Sequence, residues 1–194
     1  MDRAATALRP ARPDDADALA ELVNFAGDGL PLYLWGRMAK PGETAWDVGR
    51  RRARRDDGSF SWRNAVVAEI GSRVAASVIG YPLADEPEPI DHATTPPMFV
   101  PLQELENRAS GTWYVNVLAA YPEFRGRGLG TALLAEAEVQ AARTASRGLS
   151  IIVSDDNVGA RRLYERCGYV ERASLPMVKD DWVNAGENWV LLVK

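Results

Sequence analysis

The stretch FRGRGLGTALLAEAEVQAA (residues 124–142) joins a glycine-rich turn directly to a segment that favours a helix. Gly126, Gly128 and Gly130 occur within five residues, and Arg125 and Arg127 lie beside them. Glycine is unfavourable inside a helix, whereas Ala, Leu and Glu favour one, so the helix begins where the glycines end. Because glycine lacks a Cβ and the first turn of a helix has free N–H groups, this stretch favours the binding of a phosphate group.

Two common phosphate motifs fit this stretch poorly. A mononucleotide P-loop ends in Gly-Lys-Ser/Thr, and Gly130-Thr131 lacks the lysine. A dinucleotide fingerprint reads G-x-G-x-x-G directly after a strand, whereas here G-x-G-x-G follows Tyr-Pro-Glu-Phe. A turn that only allows a helix and a strand to pack closely is the structural alternative.

Strands and helices alternate around the glycine turn. TWYVNVLAA (112–120) and LSIIVS (149–154) predict strands, with a helix between them that ends near residues 147–148. NVGARRLYERCGY (157–169) predicts a helix that Gly168 stops, and YVERASL (169–175) and NWVLLV (188–193) predict the last strands. This half of the chain therefore has the order βαβα followed by two strands.

The first 80 residues predict the order βααββ. ATALR (5–9) predicts a strand, apolar spacing from Ala16 to Val23 a helix, and Thr44 to Asp47 the capping box of a second helix. Short β-branched runs around Gly71-Ser72 predict a β-hairpin over residues 65–79. The whole order indicates an α/β fold with a mixed sheet and helices on its faces.

Residues 81–111 form an insertion rich in proline and acidic residues, YPLADEPEPIDHATTPPMF in its first part. The insertion is too long and aperiodic for an ordinary connection between strands, which predicts either a functional loop or a mobile excursion. We treat residues 1–194 as a single domain that contains this insertion.

The composition excludes several classes of function. A net charge of −4 argues against a nucleic-acid-binding protein, and no segment resembles a signal peptide or a membrane span. A single cysteine, Cys167, cannot form an internal disulfide, and a single histidine, His92, argues against a zinc site or a catalytic triad. We therefore expect a cytoplasmic protein with no metal.

Arg125-Gly-Arg-Gly128-Leu-Gly130 resembles the R/Q-x-x-G-x-G/A signature of the GCN5-related N-acetyltransferase (GNAT) family. Two flanking segments, residues 118–122 and 157–169, also resemble the family, so the resemblance covers about residues 112–175. The resemblance implies a mixed, mostly antiparallel sheet of about seven strands, with strands four and five parallel and splayed. It also implies acetyl-CoA as co-substrate.

The resemblance assigns roles to particular residues. It implies that Tyr164 is the general acid, and that an N–H near Leu118 polarises the thioester carbonyl. The implied acetyl-CoA contacts are Leu118, Ala119, Ala120, Arg125, Gly126, Arg127, Gly128, Leu129, Gly130, Thr131, Asn157, Ala160 and Tyr164. A core aromatic is the alternative for Tyr164, and an N-cap residue is the alternative for Asn157.

The general base stays unassigned in the sequence. Strand alternation places Tyr114, Asn116 and Leu118 on one face, and none of them is the glutamate that some relatives carry near the position of Tyr114. Asn116 cannot accept a proton at neutral pH and would hold a water or the substrate. Glu69, at the end of the hairpin, is a further candidate.

The resemblance predicts an N-acetyltransferase acting on a primary amine of a small molecule. The acidic insertion, if it covers the site, favours a cationic amine, and a solvated acidic loop is the alternative. A protein N-terminal or lysine acetyltransferase and a non-catalytic acyl-CoA-binding module stay open. Relatives that dimerise through their C-terminal strands make a homodimer a further expectation.

Overall fold

The computed structural model describes residues 6–194. Seven strands of this part of the chain form one sheet in the order β1-β2-β3-β4-β5-β7-β6. The strands are β1 (Thr6–Pro10), β2 (Ala65–Ile70), β3 (Arg73–Pro82), β4 (Trp113–Ala120), β5 (Leu149–Ser154), β6 (Val170–Pro176) and β7 (Asn188–Val193). The helices are α1 (Ala16–Ala26), α2 (Leu30–Met38), α3 (Ala45–Ala53), α4 (Val100–Asn107), α5 (Leu129–Arg143) and α6 (Val158–Arg166).

The chain divides into two compact units. One unit comprises the described residues of Met1–Gly80 together with Val117–Leu134, and the other comprises Tyr81–Asn116 with Ala135–Lys194. The chain passes from one unit to the other within β3, within β4 and within α5. The single domain expected from the sequence stays a prediction.

The first unit is built on an antiparallel meander. Strand β1 pairs with β2, and β2 pairs with β3 through a hairpin at Gly71-Ser72, as the sequence predicts. The side chains of Leu19 in α1, Val48 in α3 and Val67 in β2 are fully buried. Burial of such side chains against a strand face supplies most of the driving force for these helices.

The second unit contains the parallel strand pair. Trp113–Val115 of β4 pairs in parallel with Leu149–Ile151 of β5, which confirms the predicted parallel strands four and five. The antiparallel partner of β5 is β7, which also pairs with β6. Helix α4 packs against β5, β6 and β7, so the insertion contributes to the packing of this unit.

Three expectations about the elements were wrong. Helix α2 was not predicted, so three helices rather than two separate β1 from β2. The insertion was read as aperiodic, yet it contains α4 and a 3-10 turn at Pro97–Phe99. Helix α5 ends at Arg143 rather than near residues 147–148, because Ala145 adopts φ 52° and closes the helix there.

Two predicted helix ends are confirmed. The Thr44 hydroxyl accepts a hydrogen bond from the Asp47 N–H (3.2 Å), and an Asp47 carboxylate oxygen accepts one from the Thr44 N–H (2.9 Å). Helix α6 ends at Arg166, and Gly168 follows with φ 90°. Within residues 6–194, no helix combines the length and the apolar character needed to cross a membrane.

Candidate active site

The glycine turn of the first unit has a backbone that only glycine adopts at low cost. Gly126 has φ 71° and Gly128 has φ 81°. A Cβ added at either residue would meet no heavy atom within 4 Å. Open space therefore lies beside this backbone, as the approach of a bulky anion to a loop requires.

Helix α5 begins directly after Gly128. Its first backbone hydrogen bond runs from the Ala132 N–H to the Gly128 carbonyl (3.1 Å). Among the described residues, the N–H groups of Leu129, Gly130 and Thr131 have no backbone acceptor. These N–H groups carry the positive end of a 15-residue helix, which favours an anion at this point.

Aromatic and polar contacts fix the start of the turn. The Phe124 ring is buried, and the guanidinium groups of Arg73 and Arg127 lie 5.2 and 5.4 Å from its centroid. The Arg125 Nε donates to the Ala120 carbonyl (3.2 Å), which ties the turn to the end of β4. Both loop arginines are exposed, so two positive charges lie beside the free N–H groups.

The other acetyl-CoA residues that the sequence implies in this unit lie next to the turn. Leu118, Ala119 and Ala120 are half-buried at the end of β4, and Thr131 is exposed on the first turn of α5. Leu129, by contrast, is buried and packs inward. This unit therefore brings the loop, the strand end and the helix start together.

Tyr164 lies in the second unit, on α6. Its side chain is 4% exposed, and its ring centroid is 5.9 Å from that of Tyr169. Burial alone raises the pKa of Tyr164 above its ordinary value, so the hydroxyl stays protonated at neutral pH. A hydroxyl of this kind can donate a proton, which is the role that the resemblance implies.

Asn157 caps α6. Its side-chain oxygen accepts a hydrogen bond from the Ala160 N–H (3.1 Å), which is the N-cap role that the sequence left open. The Ala160 N–H is therefore already paired within the protein. Asn116 is half-buried on β4 in the same unit.

The structure also places residues near Tyr114 that the sequence did not single out. Tyr114 is 4% exposed on β4, and the ring of Tyr81 meets its ring edge-on at 5.7 Å. Burial, followed by the charge of Glu106 and the neighbouring Tyr81 and Tyr164, raises the pKa of Tyr114. Glu106 comes from α4, a helix that a search for apolar periodicity passes over because prolines and acids surround it.

Glu69 lies in the first unit and is already paired. Its carboxylate accepts a hydrogen bond from Arg9 Nε (2.9 Å), so it bridges β2 and β1. The same arginine donates to Asp15 (2.8 Å), which makes the group a structural ion network. This pairing accounts for Glu69 without a part in proton transfer.

The second unit contains a cleft of about 370 Å³ between the insertion and the end of β6. Most of its walls are apolar, and one carboxylate and one imidazole join them. The lining includes His92, Thr95, Val100, Glu104, Leu175 and Val178. Its volume is in the range of pockets that hold small molecules.

Comparison with known proteins agrees with this architecture. The model of the acetyltransferase (GNAT) family matches residues 33–169, and the chain belongs to that family. An uncharacterized N-acetyltransferase, MJ1530, of Methanocaldococcus jannaschii is 38% identical over 85 residues, which are 43% of this chain and 52% of that protein. The chain thus spans about half the length of this curated relative.

Two solved structures share the fold. An N-acetyltransferase from Staphylococcus aureus Mu50 superposes with a TM-score of 0.63 and 18% identity, over 97% of this chain and 100% of that one. A GNAT family acetyltransferase from Elizabethkingia anophelis, with acetyl-CoA bound, superposes with a TM-score of 0.57 and 16% identity. That comparison covers 100% of this chain and 98% of the other.

Proposed function

We propose that this protein transfers the acetyl group of acetyl-CoA directly to a primary amine of a small molecule. The observation that carries the proposal is the turn before α5, where two positive-φ glycines, free N–H groups and exposed arginines surround open space. Such a turn suits a pyrophosphate, which is the anionic part of coenzyme A. The acetyl-CoA bound to the Elizabethkingia anophelis relative supports the same co-substrate here.

In this proposal the first unit binds the co-substrate. Residues 125–131 hold the pyrophosphate through backbone N–H groups and the arginine side chains. The backbone of Leu118, Ala119 and Ala120 pairs with the pantetheine arm, and the Leu118 N–H polarises the thioester carbonyl. One such donor aimed at a developing oxyanion contributes about 3 kcal/mol to the transition state.

The second unit supplies the proton chemistry in this proposal. Attack of the amine forms a C–N bond, the C–S bond breaks, and Tyr164 protonates the departing sulfur. Tyr164 is protonated at neutral pH, as the acid must be until the thiolate forms, and its hydroxyl is the group that the family resemblance assigns to this role. Asn116 holds a water or the substrate, and Asn157 and Ala160 are further pantetheine contacts that the family resemblance implies.

The cleft between the insertion and β6 has a volume suited to a small ligand, and neither Tyr164 nor the end of β4 lines it. A protein acceptor needs an open groove, so the amine panel described below tests the small-molecule acceptor directly. The carboxylate of the cleft, Glu104, favours a positively charged amine, and its apolar walls favour a hydrocarbon portion. We propose a cytoplasmic enzyme, since Cys167 is the single cysteine and the chain forms no internal disulfide.

Thermal unfolding tests the co-substrate first. Acetyl-CoA, coenzyme A, NAD and ATP are added at matched concentrations, and the midpoints are compared. A ligand at about 100 times its Kd adds roughly 2.7 kcal/mol to the free energy of unfolding. Stabilisation by acetyl-CoA and coenzyme A alone supports the proposal, and a lack of stabilisation by both contradicts it.

Release of the coenzyme A thiol then tests the acceptor. The panel contains cationic amines, neutral aryl- and alkylamines, N-terminal peptides and lysine peptides. Turnover with the small amines supports the proposal, whereas turnover confined to peptides favours a protein acetyltransferase. Binding of acetyl-CoA without turnover on the whole panel favours a non-catalytic module.

A further inference from the structure

Glu106 is a half-buried carboxylate without a partner. It lies in the last turn of α4, and among the described residues it makes neither a hydrogen bond nor an ion pair. Two other acids of the insertion differ, because Asp91 accepts hydrogen bonds from Ala93 and Thr94, and Asp85 lies 3.7 Å from an Arg147 nitrogen. Withdrawing a carboxylate from water without a partner costs desolvation free energy. Structural packing alone gives no reason for this cost.

The backbone holds a second carboxylate close to Glu106. The Glu88 N–H donates to the Asn107 side-chain oxygen (2.9 Å), and the Asn107 amide donates to the Glu88 carbonyl (2.8 Å). These two bonds fasten the extended part of the insertion to the end of α4. Burial and the nearby Glu88 carboxylate raise the pKa of Glu106 to about 7.

No cation compensates Glu106 within the described residues. The strands β5 and β7 and the turn Pro97–Phe99, which pack against α4, contain no ionisable side chain. In β6, Glu171 pairs with Arg161 (2.8 Å), and Arg172 is exposed. On α4 itself and just after it, Glu104 is half-buried and Arg108 is exposed.

Glu106 is linked to the proposed acid through Tyr114. The charge of Glu106 acts on the buried Tyr114 hydroxyl, and Tyr164 acts on the same hydroxyl. The carboxylate from the insertion and the tyrosine of α6 therefore both lie within electrostatic range of the tyrosine of β4, in the second unit. The three side chains come from parts of the chain that are far apart in sequence.

From this geometry we propose that Glu106 accepts the proton that the substrate amine loses during acetyl transfer. This inference rests on the proposed function. The balance is complete without a further reactant, because the C–N bond forms, the C–S bond breaks, and one N–H proton moves to the Glu106 carboxylate. The thiolate takes its proton from Tyr164, and exchange with water then restores both side chains.

Glu106 is suited to this step by its affinity for protons. A general base works best when its pKa lies near the working pH, and the value of about 7 meets this condition. In this proposal, a carboxylate supplied by the insertion takes the role of the glutamate that β4 lacks. The same carboxylate favours a cationic acceptor before the proton moves.

The test compares the wild type with Glu106→Gln, Glu106→Asp and the matched control Glu165→Gln. Glu165 is exposed on α6, and its change to Gln removes the same charge. For each protein, we measure stabilisation by acetyl-CoA and the pH dependence of kcat/KM with one amine. The ratio of the variant's kcat/KM to that of the wild type does not depend on the ionisation of the amine, because both proteins are measured with the same substrate.

We expect Glu106→Gln to keep the stabilisation by acetyl-CoA and to lose at least about 100-fold in kcat/KM above pH 7. The ratio of its kcat/KM to that of the wild type should fall as pH rises through about 7, because Glu106 of the wild type loses its proton there and becomes able to act as a base. Glu106→Asp should restore part of the activity, and Glu165→Gln should behave as the wild type. Equal pH profiles for Glu106→Gln and wild type would overturn the role of Glu106 alone. A wild type that neither binds acetyl-CoA nor releases coenzyme A would instead remove the proposed function and this inference with it.

Discussion

Replacing Gly128 with alanine separates the backbone cost of the turn from its binding role. Gly128 has φ 81°, and a Cβ there would meet no atom of the described residues within 4 Å. In the ligand-free protein, the cost of the substitution is therefore that of holding an alanine in the left-handed backbone conformation. That cost is about 1–2 kcal/mol. For a chain of 194 residues, it lowers the unfolding midpoint by about 2–8 °C.

The effect on binding should be larger than this backbone cost implies. The added methyl occupies the open space at the entrance to the first turn of α5, where a phosphate would approach the N–H groups. Loss of one hydrogen bond to a charged group corresponds to about 1.5–3 kcal/mol, or roughly a 10- to 100-fold higher Kd. At a concentration of about 100 times the wild-type Kd, stabilisation by acetyl-CoA should fall from about 2.7 to about 1.4 kcal/mol or less.

Gly71→Ala is the matched control for Gly128→Ala. Gly71 has φ 65° in the hairpin between β2 and β3, and its Cβ would also meet nothing within 4 Å. Both variants should lose similar stability without ligand. Isothermal titration should show weaker binding of acetyl-CoA for Gly128→Ala alone. Equal Kd values for the two variants would refute the assignment of this turn to the phosphates.

Three further predictions concern the second unit. Tyr164→Phe should keep acetyl-CoA binding and lose about 100-fold in kcat. Tyr169→Phe, which removes a buried hydroxyl that has no hydrogen-bond partner within residues 6–194, should keep kcat. Equal turnover of Tyr164→Phe and wild type across pH would exclude the acid role. The raised pKa of Glu106 means that the native state binds more protons than the unfolded state between pH 4.5 and about 7, so this group lowers stability as pH rises. Chemical denaturation should therefore show that the free energy of unfolding of Glu106→Gln, relative to that of the wild type, rises by up to about 3 kcal/mol from pH 4.5 to pH 8. A constant difference between the two proteins would contradict the burial of this carboxylate. Glu104→Gln should raise KM for a cationic amine several-fold and leave KM for a neutral amine unchanged. Equal effects on both amines would show that Glu104 does not recognise the charge of the amine.

Local signals explain why much of the fold was predictable. The hairpin at Gly71-Ser72, the start of α3 at Thr44 and the stop of α6 at Gly168 each depend on residues within a few positions of the feature. The phosphate-type turn is local in the same way, because positive φ at Gly126 and Gly128 is a property of those residues. A short window of sequence is therefore sufficient for these features.

The elements that the sequence missed depend on distant contacts. Helix α2 follows a glycine with φ 84° and has Pro31 near its start, and it packs against α3. Helix α4 has eight residues between proline-rich and acidic segments, and its packing partners β5, β6 and β7 follow much later in the chain. Short helices gain most of their stability from tertiary packing, so propensity and periodicity alone do not reveal them.

The candidate base was hidden for the same reason. In the sequence, Glu106 is one of several acids in the insertion, and nothing near it in the chain distinguishes it from the others. Its distinguishing properties are burial, the Glu88 carboxylate that Asn107 holds nearby, and the electrostatic interaction with Tyr114. All three arise only when the insertion packs onto the strands.

Burial raises the pKa of the proposed acid and of the proposed base, with different consequences for the two groups. Burial keeps the Tyr164 hydroxyl protonated at neutral pH and, because it raises the pKa, also makes this hydroxyl a weaker proton donor. It also raises the pKa of Glu106 to about 7, which leaves this carboxylate able to accept a proton and to release it again. Burial in the second unit thus leaves the proposed acid protonated and gives the proposed base a pKa near neutral pH, which are the two protonation states that the proposed acetylation needs.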